Sequence, residues 1–558
     1  MSQSPLCPKC NSSMIKRHRK SDGNAFWGCS TFPRCRGLVP GSWKASDDEP
    51  KVEKVVNWSE YQTAVFDLIE NGEGHAVVEA VAGSGKTTTI LEGLKYTPKH
   101  VAVAFVAFDR RIALELQSRS PSHVHVSTLH SLGLKNIRDH FGKVKVENRK
   151  QWLIFNLITK GQQSEHISNE IMDEYQANVS FTRAERETLQ ENAVLVNNLV
   201  SMCKATLLDP TPENLDWIYD RYGHNTNGDT ELIFRAVAIA FRISVRLIET
   251  VIDFDDMIYA PAVGIVKCEK FDFLFVDEAQ DLNKSQIEFV LNSITETGRI
   301  IAVGDRAQSI YGFRGADTEA IPNLITALDA VSLPLSICYR CPPNHIEMAQ
   351  GLVPTIQPFD GKDDGVIEHI SFGDMLESVK PGDLIMCRTN APLVAPAFEL
   401  IRRGIKAVVL GRDIGKGLAV LVKKVQKRNT SNNLLELLHD MSEYRDMEVA
   451  KLMASKKGYR AARLDDQIET IIALASNCNT IPALITRIDQ VFDDRVQGVV
   501  FSSVHKAKGT EAERVFILRP DLMPHPMAGA DWEKAQEVNV EYVALTRSKS
   551  ELYFVSGT

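Results

Sequence analysis

The chain has 558 residues, 44% hydrophobic and 24% charged, with a net charge of −8; this reads as globular and, at roughly 150 residues per domain, as three to five domains. The acidic balance excludes a uniformly basic nucleic-acid coat. No charge-free run of about 18 apolar residues and no apolar signal core occurs, so no membrane span is expected and the chain reads as soluble and intracellular.

Residues 1–45 reverse the overall charge, with eight Lys or Arg against the single acid Asp22. The ten cysteines of the chain, without a leader, point to reduced thiols or metal ligands rather than disulfides. Four lie in this head: Cys7-Pro8-Lys9-Cys10, then eighteen residues, then Cys29 and Cys35 separated by five. Two close thiolate pairs suit tetrahedral Zn²⁺, which replaces the core that so short a segment can barely build. Cys-Pro-x-Cys followed by Phe26-Trp27-Gly28-Cys29-Ser30 and Pro33-Arg34-Cys35-Arg36-Gly37 resembles the four-cysteine zinc finger of bacterial type I topoisomerases, with a second pair wider than in a generic zinc ribbon. In that family the finger binds single-stranded DNA. Here Lys16, Arg17, Arg19, Lys20, Arg34 and Arg36 offer charge beside Phe26 and Trp27; that the aromatics only pack the metal site stands as an equal reading. The charged, pattern-free stretch 46–57 has linker composition.

A helical apolar pattern (Val65, Phe66, Leu68, Ile69) follows Trp58-Ser59-Glu60-Tyr61-Gln62, with Ser59 placed as N-cap. The run His75-Ala76-Val77-Val78 then enters Ala80-Val81-Ala82-Gly83-Ser84-Gly85-Lys86-Thr87-Thr88. Strand, glycine loop and helix in that order make a phosphate cradle. The backbone from Ala82 to Thr88 surrounds the phosphates of a nucleotide, Lys86 reaches the terminal ones and Thr87 holds Mg²⁺. The generic motif begins with glycine where this chain has Ala80.

Residues 100–106 read as a buried strand, 110–117 as a helix, and Val124-His125-Val126-Ser127 as a strand end before Thr128-Leu129-His130. From about 140 to 250 the periodicity is helical, as in 183–205 and 231–250, and predicts an insertion with no readable chemistry. The strand 271–276 ends on Asp277-Glu278-Ala279-Gln280-Asp281. An acid at the end of a buried strand is where an α/β nucleotide site needs its Mg²⁺ partner, the role of Asp277, while Glu278 polarises the attacking water.

The next strand, 299–303, runs into Gly304-Asp305-Arg306-Ala307-Gln308-Ser309-Ile310-Tyr311-Gly312-Phe313-Arg314-Gly315-Ala316. This resembles the motif after the acid pair in the UvrD/Rep/PcrA group of superfamily 1 DNA helicases. Cys338-Tyr339-Arg340, Met386-Cys387-Arg388-Thr389-Asn390, Ser503-Val504-His505-Lys506-Ala507-Lys508-Gly509-Thr510-Glu511 and Glu541-Tyr542-Val543-Ala544-Leu545-Thr546-Arg547 continue the resemblance in the family's order. Independently, strand patterns at 383–387, 405–410, 499–503, 514–518 and 552–555 alternate with helices such as 393–403 and 539–545. The fold expected is α/β, with two RecA-like parallel-sheet domains behind the zinc finger. The first spans 58–330, and the second spans 331–558 with a small helical insertion at about 412–497.

The resemblance implies an ATP-dependent DNA helicase and single-strand translocase, 3′→5′ in polarity, using ATP, Mg²⁺ and Zn²⁺ and acting on single-stranded and tailed duplex DNA. Gln308 senses the γ-phosphate, and Arg340 and Arg547 approach from the second lobe as arginine fingers. Gln62 and Tyr339 contact the adenine, and Glu511 the ribose. Phe105, Thr128, His130, Phe313, Arg314, His505 and Lys508 match DNA-contact positions. Phe105 also reads as plain core. The family's Thr-Phe-Thr-Asn-Lys is Ala104-Phe105-Val106-Ala107-Phe108 here, which makes Phe108 a rival stacker. Cys338 and Cys341 straddle Tyr339-Arg340 and read as bystanders. A DNA-dependent ATPase that strips proteins from single strands without unwinding is the alternative, kept open by the short second insertion; a topoisomerase rests on the head alone. The resemblance further implies a cytoplasmic, nucleoid-associated protein of bacterial or phage origin.

Overall fold

The computed structural model describes residues 7, 12, 14–18, 25–32, 35, 38–40, 57–108, 110–162, 181–222, 229–312, 319–429, 431, 433–454, 458–476, 478–492, 498–529 and 531–557. They form two units, residues 1–59 and 60–558. In the first, strands Met14–His18, Ala25–Cys29 and Leu38–Pro40 pair antiparallel in chain order. Its described apolar interior is Cys7, Met14 and Cys29, with Trp27 and Cys35 half-buried against them. A cluster that small cannot hold a domain by burial alone.

In the second unit, apolar strand runs build two sheets. Among the described residues the first sheet has the order Val331–Leu335, Ala76–Ala80, Ile294–Gly304, Phe271–Val276, Val103–Ala107, Val124–Thr128, parallel throughout. Val77, Ala104, Leu274 and Ala302 face one core, and Val78, Phe105, Phe275 and Ile301 the other. Helices on both faces explain why these strands read as continuous apolar runs rather than as alternating ones. The second sheet has the order Val366–Ser371, Ser548–Ser556, Ala512–Leu518, Leu384–Cys387, Val499–Ser503, Ala407–Val409, also parallel. It too is packed on both faces, by Ile385, Val499 and Phe516 on one and Met386, Val500 and Val515 on the other.

The strand Val331–Leu335 pairs along Ala76–Ala80, so the first sheet extends past the boundary expected at residue 330. Sequence reading missed this strand because Pro334 interrupts it, and an edge position is where a sheet tolerates proline. The helix expected over 183–205 is two helices, Arg183–Glu191 and Ala193–Thr206. Asn192 breaks it: its Nδ2 donates to the Thr188 carbonyl at 2.9 Å, the local competition with the helix ladder that asparagine offers. The insertion continues with Pro212–Tyr222 and Thr230–Arg246. In its base, Asp256 bridges two buried ammonium groups, Lys150 and Lys204, each at 2.6 Å. The second insertion comprises Arg412–Asn429, Leu434–Ala454, Gly458–Ala475 and Ile481–Val491. Among the described residues no helix is long and apolar enough to cross a membrane.

Candidate nucleotide and nucleic-acid site

Because the first sheet is parallel, the loops after its strands gather along one edge. The loop after Ala80 turns through Gly83 and Gly85 at φ of 68° and 78°, values that cost glycine nothing. Gly85 caps the helix Lys86–Gly93 without a side-chain bond, which suits its first N–H groups to meeting an anion. Ser84 is buried and its Oγ has no hydrogen-bond partner, an orphan that fits a phosphate oxygen or metal-bound water. Lys86 and Thr87 stand half-buried at the mouth, and Thr88 is exposed.

Asp277 and Glu278 lie beyond Val276 at the same edge. Glu278 adopts a left-handed φ of 52°, and its N–H donates to Asp277 Oδ1 at 2.9 Å. Burial, with the Glu278 charge adding to it, pushes the Asp277 carboxyl up against the pull of Lys86. Burial presses Glu278 the same way, but the charges of Lys86 and Lys508, a hydrogen bond from Gln280 and the charge of Arg547 outweigh it and hold Glu278 low. The two adjoining carboxyls are thus shifted in opposite directions, Glu278 down and Asp277 up. Gln280 also accepts the Asp305 N–H at 2.9 Å, and Gln308 Nε2 donates to Asp305 at 2.6 Å.

The second lobe closes on this edge. Tyr542, wholly buried on the helix Asp531–Leu545, accepts the Ala82 N–H through its hydroxyl at 2.9 Å. The Tyr339 N–H donates to the Gly83 carbonyl at 2.9 Å. The Tyr339 hydroxyl lies 3.4 Å from Gln62 Oε1, and Gln62 Nε2 donates to Thr89 at 3.0 Å. Gln62 and Tyr339, distant in sequence, therefore form one wall. Arg340 pairs with Glu511 at 2.6 Å and donates to the Thr546 carbonyl, and Lys549 pairs with the same Glu511 at 2.7 Å. Arg547 is buried, donating to the carbonyls of Val543 and Thr510 and to Thr546 Oγ1. Burial first, then the charge of Arg340, pushes its guanidinium down to about 10.

Three DNA assignments change. Phe105 is fully buried between strands and packs edge-on against Phe275, so it cannot stack on a base; Phe108, just past the strand end, is 44% exposed. Thr128 is the N-cap of Leu129–Phe141, accepting from Ser131 N and donating to Ser131 Oγ, which commits its hydroxyl to the cap. Lys508 points into the cleft rather than outward, bonded to Asp281 and to the Gln308 carbonyl at 2.7 Å and lying over the Tyr311 ring. His130 is half-buried, its imidazole pushed down by burial, and meets Phe254 edge-on at 5.8 Å. Phe254, 52% exposed, was not singled out from sequence; its position just after the Asp253 cap, at a helix start, is the signal available. His505 lies in the helix Val504–Ala507, and its carbonyl accepts the Tyr311 hydroxyl at 3.0 Å. Phe313 and Arg314 lie outside the described residues.

In the N-terminal unit the sulfurs of Cys7, Cys29 and Cys35 lie within 4.8 Å of one another, with Cys7 and Cys35 3.6 Å apart. Zn–S bonds of about 2.3 Å in a tetrahedron put sulfurs about 3.8 Å apart, so the thiolates fit zinc. Cys10, the expected fourth ligand, lies outside the described residues, as do Arg19, Lys20, Arg34 and Arg36. Trp27 packs on the thiolates, whereas Phe32 is 54% exposed under the Arg17 guanidinium.

A phosphate loop completed by cations from a second parallel-sheet lobe defines the two-lobed P-loop motors. Residues 61–328 match the UvrD/REP helicase N-terminal domain, residues 337–557 the UvrD-like helicase C-terminal domain, and residues 5–41 the topoisomerase DNA binding C4 zinc finger. The chain belongs to the UvrD/Rep/PcrA helicase family. It is similar to F-box DNA helicase protein 1 of Schizosaccharomyces pombe (23% identical over 542 residues, 90% of this chain and 58% of the relative) and to F-box DNA helicase 1 of Gallus gallus (24% over 543 residues, 92% and 50%). ATP-dependent DNA helicase PcrA of Staphylococcus aureus is 27% identical over 271 residues, 46% of this chain and 35% of the relative. The chain thus spans less than two thirds of the length of these relatives. The expectation of a cytoplasmic, nucleoid-associated protein of bacterial or phage origin is corrected by these matches, because the relatives aligned over nine-tenths of the chain are eukaryotic.

Proposed function

We propose that the protein is an ATP-dependent DNA helicase and single-strand translocase of 3′→5′ polarity. The observation that carries this reading is Arg547: a fully buried guanidinium of the second lobe whose charge is felt at Glu278 of the first. Among the described residues its donors reach only two carbonyls and a hydroxyl. A buried cation that hydrogen-bonds no carboxylate is costly unless an anion reaches it, and ATP's phosphates supply one between the lobes.

Lys86 and the N–H groups after Gly85 bind the phosphates. Thr87 and Asp277 would hold Mg²⁺, which neutralises charge on the phosphates when bound. Glu278, held ionised, orients and polarises the attacking water, and Gln308 reports the γ-phosphate to the Asp305–Gln280 network. Arg340 leaves Glu511 for the phosphates, and Arg547 stabilises the charge that develops in transfer. Tyr339 and Gln62 hold the base, and Glu511 the ribose. Phe108, His130 and Phe254 form the stacking platform of the first lobe, and His505 meets the strand from the second. Cys7, Cys10, Cys29 and Cys35 hold Zn²⁺.

Unwinding of 3′-tailed, 5′-tailed and blunt duplexes, alongside ATP turnover with and without single-stranded DNA, tests the reading. The expected result is DNA-stimulated turnover with unwinding only of the 3′-tailed substrate, and loss of unwinding in Phe108→Ala. The short second insertion favours the alternative of a translocase that strips bound protein; DNA-stimulated turnover without unwinding of any substrate would establish it.

A further inference from the structure

We propose that Cys338 and Cys341 are a reversible redox site, in which a peroxide closes an intramolecular disulfide that pulls Tyr339 and Arg340 off the phosphate loop and stops ATP turnover. This rests on the reading of Tyr339 and Arg340 as nucleotide residues. Cys338 ends the strand Ile337–Cys338, and Cys341-Pro342 leads into the helix Pro343–Gln350, so both thiols sit in one strand-to-helix turn. The Cys341 N–H donates to Cys338 Sγ at 3.4 Å.

The two thiols are made unlike. The hydrogen bond from Cys341 holds the Cys338 thiol low against its burial, aided by the N–H groups of Cys341 and Arg340 and by the Arg340 charge, while Cys341 is pushed well up. A thiolate beside a thiol is the pairing that disulfide formation uses. Cys203 and Cys387, buried elsewhere, are pushed up to about 12 and about 11 by burial, as inert thiols are.

The turn also has no slack. A Cβ built on Gly83 would stand 2.8 Å from Cys338 Sγ and 2.6 Å from Arg340 Cβ. Val81, Ala82, Cys338, Cys341 and Tyr542 form one apolar cluster. The Cys338 thiolate attacks one peroxide oxygen, the O–O bond breaks, and hydroxide leaves a sulfenic acid. The Cys341 sulfur then attacks that sulfur, its proton leaving with the hydroxyl as water; two electrons pass from the thiols to the peroxide. Closing the S–S bond to about 2.05 Å contracts a ring that contains Tyr339 and Arg340. Both sulfurs are fully buried, so the oxidant enters when the lobes part.

The test treats the full chain with hydrogen peroxide, then measures DNA-stimulated ATP turnover and maps tryptic peptides. Trypsin cuts after Arg340, so only a disulfide keeps the two cysteine peptides joined. Misplacing a catalytic group by about 1 Å costs about 10²-fold; we expect a loss of that order, in proportion to the joined fraction and reversed by dithiothreitol. Cys341→Ser, or Cys341→Ala if the serine variant folds poorly, should turn over ATP like the reduced parent and yield no joined peptide. Absence of the joined peptide from the oxidised parent, a joined peptide with unchanged turnover, or a loss that does not follow the joined fraction each overturns the proposal. Failure of the ATPase reading is separate, because reduced protein would then show no turnover at all.

Discussion

Replacing Arg547 by methionine separates folding from function. The guanidinium is 1% exposed, and burial first, then the Arg340 charge, pushes its pKa down to about 10, so the fold bears a penalty of the order of a few kcal/mol for holding it charged. Methionine fills similar volume without the charge, and such replacements of buried ionic groups are neutral or stabilising by about 1–4 kcal/mol. The hydrogen bonds to Val543, Thr510 and Thr546 are lost with it, each worth about 1 kcal/mol net, so the ligand-free protein should stay within about 1 kcal/mol of the parent or above it. Loss of an arginine finger costs about 10³–10⁵-fold in turnover. Urea unfolding without nucleotide, and ATP turnover at saturating single-stranded DNA, measure the two quantities. A variant destabilised by several kcal/mol would make Arg547 a structural brace, and retained turnover would remove the second lobe from the chemistry.

Lys86→Ala and Glu278→Gln should both stop turnover while Glu278→Gln keeps ATP affinity in equilibrium binding, because Lys86 meets the phosphates in the ground state and Glu278 acts on water. Metal analysis should find one zinc per chain, lost in Cys7→Ser with Cys29→Ser while basal ATP turnover survives, since the finger is a separate unit. Asp256→Asn should cost about 3–5 kcal/mol in urea unfolding, because it leaves Lys150 and Lys204 buried without their shared carboxylate. The Asp256 carboxyl is held at about 2, against burial, by Lys204 and Lys150. A depressed carboxyl contributes stability fully above its ordinary 3.8 and loses it toward 2, so the gap between parent and variant should narrow only in that acid range.

The phosphate loop and the acid pair could be read from sequence because each is contiguous and sits at a strand end marked by its apolar run. What resisted reading depends on which way one side chain faces. Phe105 and Phe108 differ by three residues, but the strand ends at Ala107, so one is core and the other free. Thr128 lies at a strand–helix junction where a cap and a ligand contact have the same sequence signature. Lys508 matched a DNA-contact position, and its partner Asp281, far away in sequence, is what turns it into the cleft. Tyr542 lay inside a recognised motif, yet its bond to Ala82 spans lobes that no local pattern relates. The helix break at Asn192 shows the same limit at short range, since apolar periodicity runs through it.

An apolar cluster of Val81 and Ala82 with Cys338, Cys341 and Tyr542 joins the lobes, and the polar contacts beside it fall on the loops that nucleotide would move. Tyr542 and Tyr339 bond the phosphate loop, Lys508 bonds Asp281 and the Gln308 carbonyl, and Asn539 donates to the Ser309 carbonyl at 3.0 Å. Gln536 accepts the Gly312 N–H at 3.1 Å, immediately before the segment that carries Phe313. At about 1 kcal/mol net for each such bond, the polar share of the cost of parting the lobes is a few kcal/mol, of the size that ligand binding supplies in shifting a two-state equilibrium. Lys508 is central to that balance. It ties the loop after the acid pair to the Gln308 loop and lies over Tyr311, whose hydroxyl bonds the His505 carbonyl. On the proposed reading of Gln308 as γ-phosphate sensor, a change at that contact has a route to His505 through Lys508 and Tyr311, with no need for the proposed DNA-stacking aromatics to touch the nucleotide.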